Sequence, residues 1–169
     1  VGGGVVLRNG LFTGRTGNAG ALGSMPVPAP GGGVVQLIEL SSLSGLEAAM
    51  RAGGLPTAPL WDAPEGWEIP RAIRDGWLAT AGYGLSHAIA AAAAVIDFEA
   101  ALIDGWMPAP LRADLVAATR ARLAAIDLAG IAPPDIRAGS VGPDARALGA
   151  ASLPLSDRFL ADPEPPGSA

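Results

Sequence analysis

The chain has 169 residues, half of them apolar, and a formal net charge of −5. It is therefore long enough to bury the core of one domain, too apolar to remain disordered, and too acidic to favour sequence-independent binding to nucleic-acid phosphates. Because the sequence has no cysteine, no lysine and one histidine, disulfides, thiolate metal sites, a P-loop lysine and multi-histidine metal centres are excluded.

The sequence carries no recognisable targeting segment. Residues 1–8 lack a signal-peptide pattern, and the most apolar run, residues 88–96, is about half of the roughly 20 residues that a membrane span needs. We therefore expect a cytoplasmic protein without a membrane partner. The chain opens at a valine followed by three glycines, which predicts a mature or cut fragment of a longer protein.

The first part of the chain predicts short strands joined by glycine-rich turns. Residues 2–14 are typical of a β-hairpin, with Asn9-Gly10 as the type I′ turn pair. A glycine-rich loop at 14–23 follows, and prolines exclude a helix from the extended piece at 25–27. The alternating segment 34–40 predicts another strand.

Helical patterns dominate the middle of the chain. A helix is expected from Ser44, a capping residue, to Gly53-Gly54, and a loop from there to residue 68. The longest predicted helix spans Pro70–Ile96. Its internal glycines, Gly82 and Gly84, predict close approach by another element, since each otherwise costs about 1 kcal/mol relative to alanine.

Two strands and two helices complete the predicted order. A buried-type strand at 99–105 precedes an amphipathic helix at 109–130, and 134–142 predicts a strand and a turn before a last helix at 143–160. Strands followed by alternating helices and strands indicate an α/β fold with crossover helices on one mixed sheet. On the amphipathic helix, the residues expected to face inward are Leu111, Leu115, Ala118, Leu123 and Ile126, and those expected in solvent are Arg112, Arg120 and Arg122.

Three segments could bind a ligand, and each also has a plain structural explanation. The opening glycines, Gly2–Gly4, let backbone N–H groups approach phosphates, or simply bend the chain into the first strand. Asp104-Gly105 closes a buried strand, where open α/β sheets bind ligands, but the same dipeptide favours a turn. The segment 139–151 places glycines before a helix start, where an anion can bind or Asp144 can stabilise the first turn.

The single histidine, His87, is expected at the boundary of the long helix rather than in catalysis. No acid close in sequence orients it.

Three collinear segments together resemble the carboxy-terminal half of the ROK family, whose name stands for repressor, open reading frame and kinase. VGGGVVLRNGLFTGRTGNAGALG, from residue 1, resembles the family block IGGGVV…G.L..G..GNAGE.GH. AAAAVIDFEAALIDG, ending at residue 105, resembles LDPE.VV.GG, and GSVGPDARALGAASL, from residue 139, resembles LG..A...GAA. The resemblance covers residues 1–160 and implies one lobe of an actin-like ATPase (ribonuclease H-like) fold, with the first lobe upstream and residues 161–169 as a flexible tail.

The resemblance also implies site residues and a cofactor. ATP with Mg²⁺ is the implied cofactor. No catalytic residue is assigned, because the family's catalytic aspartate and first phosphate loop belong to the other lobe. The implied sugar-binding loop comprises Gly17, Asn18, Gly20, Ala21 and Ser24. In the implied nucleotide site, Gly2, Gly3 and Gly4 follow the phosphate-binding turn, and Asp104, Gly105 and Gly142 lie near the adenosine side.

The implied sugar loop departs from the family pattern at two positions. Ala21 stands where the family carries a sugar-binding glutamate, and Ser24 where it carries a histidine that touches sugar and zinc. The cysteine-rich zinc segment is replaced by GGGVVQLIELSSLSGLE, so neither zinc nor another metal is expected. Because alanine cannot accept a hydrogen bond from a sugar hydroxyl, a site built for that bond loses much of its discrimination.

These departures favour a sugar-sensing effector domain of a ROK-type transcriptional regulator. Such a sensor binds a sugar or sugar derivative without phosphoryl transfer and reaches DNA only through a helix-turn-helix upstream. The alternatives are an ATP-dependent sugar kinase with a divergent, zinc-free pocket, and a structural or dimerising remnant. We expect the isolated chain to be inactive as a kinase, since phosphoryl transfer needs both lobes, and to form homo-oligomers that cover an exposed sheet edge.

Overall fold

The structure, a computed structural model, describes residues 1–144 and 148. Short 3₁₀ turns lie at Leu22–Ser24 and Gly142–Asp144. The predicted last helix at 143–160 lies almost wholly outside the described residues, and the predicted tail at 161–169 lies entirely outside them. The other elements in chain order are β1 Val5–Leu7, β2 Gly10–Phe12, β3 Pro26–Pro28, β4 Val34–Gln36, α1 Leu37–Ser41, α2 Leu43–Ala52, α3 Pro59–Asp62, α4 Arg71–Ile96, β5 Ala100–Ile103, α5 Ala109–Leu123 and β6 Asp135–Ala138.

The long helix α4 forms the centre of the fold. Its two buried glycines let other helices come close: a Cβ at Gly82 would lie 3.1 Å from the backbone of Ala118 in α5, and one at Gly84 would lie 3.0 Å from the Cβ of Leu40 in α1. The predicted close approach at both glycines is confirmed. By length and composition α4 is also able to cross a membrane, but it packs on α1, α2 and α5, as a core helix does.

Two apolar clusters pack against α4. The larger joins α2 to α5, β5 and β6 and includes the fully buried Leu46 and Ile136. The smaller joins β3, α1 and α4, with Leu37 and Ala88 buried inside it. Leu85 packs against both clusters, so α4 connects the glycine-rich N-terminal part of the chain to the β5–β6 part.

The strands pair in three separate two-stranded ladders within residues 1–144, and the prediction of one mixed sheet is therefore wrong for this part of the chain. β1 pairs antiparallel with β2, and β3 antiparallel with β4. β5 pairs parallel with β6, and α5 makes the predicted crossover between them. The chain is mixed α/β, but its strands are only three or four residues long. Each strand can therefore form few backbone hydrogen bonds to a third strand.

The hairpin predicted at 2–14 is confirmed, but its turn begins one residue earlier than expected. Arg8 and Asn9 hold the two positive φ angles, 52° and 64°, where Asn9-Gly10 was predicted. The observed register places Val6 directly opposite Leu11. Apolar cross-strand pairs of this kind stabilise a hairpin and here outweigh the preference for Asn-Gly in the turn.

The strand predicted at 34–40 is correct only in its first half. β4 ends at Gln36 and α1 begins at the next residue. The cause is a capping box, in which the Glu39 carboxylate accepts a hydrogen bond from the backbone N–H of Gln36 at 2.9 Å. Apolar alternation does not reveal such a cap, so the sequence pattern extended the strand too far.

Two other helix boundaries differ from the predictions, and one short helix was not predicted. Ser42 rather than Ser44 precedes α2, and the short helix α3 interrupts the predicted loop at 55–68. α5 ends at Leu123 instead of residue 130, because the chain tightens into a turn after that residue. Within α5, Val116 and Thr119 are buried, whereas Ala118, and Ile126 beyond the end of the helix, which were both predicted to face inward, are only half-buried.

Candidate functional site

A dense cluster of hydrogen bonds lies where the parallel strands β5 and β6 end. Asp104 follows β5 directly, and the turn at 139–142 follows β6. One carboxylate oxygen of Asp104 accepts hydrogen bonds from the backbone N–H of Gly105 at 2.9 Å and from an Arg112 Nη atom at 2.5 Å. The other accepts from the backbone N–H groups of Val141 at 3.0 Å and Gly142 at 2.9 Å. The carboxylate thus fastens the β6 turn to the end of β5.

The surroundings of Asp104 favour its ionised form. Partial burial raises the pKa of its carboxyl, but the hydrogen bonds from Gly142 and Gly105, the charge of Arg112 and the hydrogen bond from Val141 together bring it below its usual value. The Arg112 side chain is only 13% exposed and the Asp104 side chain 21% exposed. The expectation that Arg112 belongs to a solvated face is therefore wrong.

A second arginine of α5 also contacts β6. Arg120 Nε donates a hydrogen bond to the backbone carbonyl of Ile136 in β6 at 2.7 Å, and its guanidinium lies 3.5 Å from Asp135. Arg120 is exposed, with 55% of its side chain accessible, so the prediction that it lies on a solvated face is correct, and its guanidinium also connects α5 to β6.

The glycine-rich loop at 14–24 lies at the surface, and Gly14, Gly17 and Gly20 each adopt a positive φ. Asn18 is exposed and donates a side-chain hydrogen bond to Thr16 at 3.2 Å. Ala21 and Ser24 are exposed as well. The loop is accessible to a ligand.

The opening glycines pack against this loop rather than against the Asp104 cluster. A Cβ at Gly3 would lie 2.7 Å from the carbonyl oxygen of Gly20, and a Cβ at Gly20 would lie 2.6 Å from the Cα of Gly4. The implied nucleotide residues are therefore found in two groups. Gly2–Gly4 lie beside the implied sugar loop. Asp104, Gly105 and Gly142 lie together at the ends of β5 and β6, joined by hydrogen bonds to the Asp104 carboxylate.

A shallow cleft between α1 and α2 adjoins the loop and was not foreseen from the sequence. Glu39, Ser42 and Ser44 supply its polar lining. The hydroxyls of the two serines lie 2.5 Å apart. Ile38, which also lines the cleft, lies within 3.8 Å of a Cβ position at Gly23, in the middle of the Leu22–Ser24 turn. The capping-box spacing of Gln36 and Glu39 is the one sequence signal that could have placed this carboxylate.

His87 lies where the sequence predicts. It is half-buried on α4, its Nδ1 lies 2.9 Å from the carbonyl oxygen of Tyr83, and its ring packs on the Tyr83 ring with centroids 4.3 Å apart. These contacts are those of a boundary residue.

Comparison with known proteins identifies relatives by structure alone, since no protein-family model and no curated protein matches the sequence. The ROK hexokinase of Thermus thermophilus superimposes with a TM-score of 0.58 at 24% identity, over 92% of this chain and 55% of that one. A protein assigned as a sugar kinase from Cytophaga hutchinsonii superimposes with a TM-score of 0.59 at 19% identity, over 90% of this chain and 53% of that one. The chain thus spans about half the length of these solved structures. At such identities the likeness shows the fold alone, and the chain has a ROK-type, sugar-kinase-like fold.

Proposed function

We propose that the chain is the second lobe of a ROK-type protein of the actin-like ATPase fold and that it acts as the sugar-sensing effector domain of a transcriptional regulator. One observation carries the proposal. The accessible loop at 14–24 presents Ala21 and Ser24, and it lies beside a cleft whose own carboxylate and hydroxyls are free of any charged partner within residues 1–144. The first lobe, a DNA-binding domain upstream, a cytoplasmic location and self-association all belong to the proposal.

The cleft supplies hydrogen-bonding groups that the loop lacks. Ala21 offers a sugar no side-chain acceptor, whereas Glu39 offers a carboxylate and Ser42 and Ser44 offer hydroxyls that donate and accept. Carboxylates and hydroxyls that face one cleft are the groups that hold the hydroxyls of a small polar ligand. We propose that a monosaccharide lies between the loop and this cleft, with Glu39 accepting hydrogen bonds from its hydroxyls.

Self-association is supported by the exposed hairpin. Val6 is 65% exposed and Leu11 is 66% exposed, on the same face of β1 and β2. A hairpin of two three-residue strands is not stable by itself, so contact with another surface would stabilise it.

The sugar proposal is tested by titrating the protein with a panel of monosaccharides, followed by calorimetry and by amide chemical shifts. Binding should move the amide signals of Gly17, Asn18 and Ser24. Glu39→Gln should weaken binding about tenfold or more, as the loss of a charged hydrogen-bond acceptor does, while retaining the cap of α1 because glutamine also closes a capping box. Glu65→Gln, an exposed carboxylate outside the cleft, is the matched control. If no sugar produces heat or shifts, the sensing role is wrong.

The second candidate is an ATP-dependent sugar kinase, which the names of the two solved relatives favour. A coupled assay of ADP release with glucose, N-acetylmannosamine and fructose distinguishes the two. We expect the 169-residue chain to give no turnover, because in-line phosphoryl transfer needs groups from both sides of the cleft between two lobes. Measurable turnover by this chain would reverse the order of the two candidates.

A further inference from the structure

We propose that the ends of β5 and β6 form an anion-binding nest which the chain fills with its own Asp104 carboxylate, so that a phosphate group, free or carried by a nucleotide, is excluded unless that carboxylate is removed. This inference concerns a different part of the fold from the sugar cleft and stands whether or not a sugar binds there.

The nest consists of four donors that converge on one side chain. Three are the backbone N–H groups of Gly105, Val141 and Gly142, at 2.9 to 3.0 Å, and the fourth is the Arg112 guanidinium at 2.5 Å. Each carboxylate oxygen accepts two of them. Backbone N–H groups that point into a concavity beside a cation are the arrangement with which proteins bind phosphate. Here an internal anion already satisfies all four.

The backbone is shaped to admit that side chain. Gly139 leads into the β6 turn, and a Cβ at this position would lie 2.5 Å from a carboxylate oxygen of Asp104 and 2.6 Å from its Cγ. Any other residue at 139 would therefore displace the carboxylate. A Cβ at Gly142, in contrast, would have as its nearest neighbour within the described part of the chain an Arg112 guanidinium nitrogen at 3.5 Å.

The family resemblance implies that Asp104, Gly105 and Gly142 lie near the adenosine side of a nucleotide, and the geometry here concerns only whether a phosphate could also bind among them. The backbone amides and Arg112 are donors of the kind that hold a phosphate, but they are taken by a carboxylate on the same chain. An external phosphate would have to compete with a tethered anion, whose effective concentration is high, and would meet its like charge. The residues present therefore do not fit a nucleotide phosphate at Asp104, and no step of phosphoryl transfer is assigned to them.

The experiment compares the wild-type chain with Asp104→Ala, using inorganic phosphate and, separately, ADP as probes. The readouts are the thermal midpoint and the amide shifts of Gly105, Val141 and Gly142, with sodium chloride at equal ionic strength as the reference. In Asp104→Ala, millimolar phosphate should raise the midpoint and move all three amides, while the wild type should respond to neither probe. A response to ADP but not to phosphate would assign the opened nest to a nucleotide, and equal responses would assign it to phosphate alone.

Two further variants make the result specific. Asp104→Ala combined with Arg112→Gln should reduce the phosphate response at least tenfold, since it removes the cation of the nest. Asp135→Ala removes another carboxylate that is paired with arginines, Arg120 and Arg137, and should produce no phosphate response at the three amides.

The proposal is overturned if wild-type amides move with phosphate as much as those of Asp104→Ala, or if folded Asp104→Ala shows no response. Should Asp104→Ala fail to fold, Asp104→Ser removes the carboxylate and empties most of the nest while keeping a hydroxyl that can accept one hydrogen bond. Its three amides should then respond to phosphate, and their silence would equally overturn the proposal.

Discussion

The two glycines of α4 at positions 76 and 82 allow a sharp test of how this fold packs. Both are helical, but their surroundings differ. Among the described residues, a Cβ at Gly76 would meet no atom within 4 Å, whereas a Cβ at Gly82 would lie 3.1 Å from the backbone carbon and 3.3 Å from the carbonyl oxygen of Ala118. We predict that Gly76→Ala stabilises the chain and that Gly82→Ala does not.

The magnitude follows from two opposing effects. Replacing a helical glycine by alanine gains about 0.8–1 kcal/mol at either position, because alanine loses less backbone entropy. At Gly82 the added methyl presses on the backbone of a packed helix, which cannot rotate away as a flexible side chain does, and overpacking of this kind costs about 1–3 kcal/mol. The free energy of unfolding should therefore rise by nearly 1 kcal/mol in Gly76→Ala. In Gly82→Ala it should fall by about 0–2 kcal/mol.

The assay is urea unfolding of each variant and of the wild type, followed by far-ultraviolet circular dichroism at one pH. Gly76→Ala serves as the propensity control for Gly82→Ala within the same helix. If Gly82→Ala raises the free energy of unfolding as much as Gly76→Ala does, the close contact between α4 and α5 does not exist and the packing described above is wrong.

Three other outcomes are expected. The pKa of Asp104 lies lower in the folded than in the unfolded state, so its carboxylate stabilises the fold above about pH 4, and this stabilisation is lost as the pH falls through the folded-state pKa. Asp104→Asn should therefore flatten the acid side of a plot of thermal midpoint against pH. An unchanged slope would contradict this. Leu46→Ala removes a fully buried side chain from the larger cluster and should lower the free energy of unfolding by about 2–5 kcal/mol in urea. Gly20→Ala should lower the thermal midpoint more than Gly17→Ala, because both glycines have a positive φ but a Cβ at Gly20 would also collide with Gly4. Equal losses would mean that backbone strain at positive φ explains both effects and that the collision contributes nothing.

Much of the fold could be predicted because its signals are local. The helical stripe of α4 and the strands β5 and β6 were recognised from the sequence, and all three elements are confirmed, but β5 is not the buried strand that was predicted, since Leu102 is 68% exposed. The glycines of α4 predicted close contact correctly, since a glycine in a helix interior costs stability unless a neighbour needs the space.

The candidate site was predicted less completely because its contacts join residues far apart in sequence. Asp104 and Gly142 were paired through a family resemblance, but the hydrogen bond between them was not, and Arg112 was assigned to solvent. The cleft that contains Glu39 depends on where α1 begins, which a side-chain cap decides and which alternation along the chain conceals.

The sequence by itself determined which segments are helical or extended, because backbone propensity and apolar periodicity act over a few neighbouring residues. It also determined that cysteine and lysine chemistry is absent and that Ala21 and Ser24 replace acceptors in the loop. Only the tertiary structure decided that strands pair in separate ladders and that four donors enclose the Asp104 carboxylate. The physical reason is that register and burial depend on contacts made after the chain has folded back on itself.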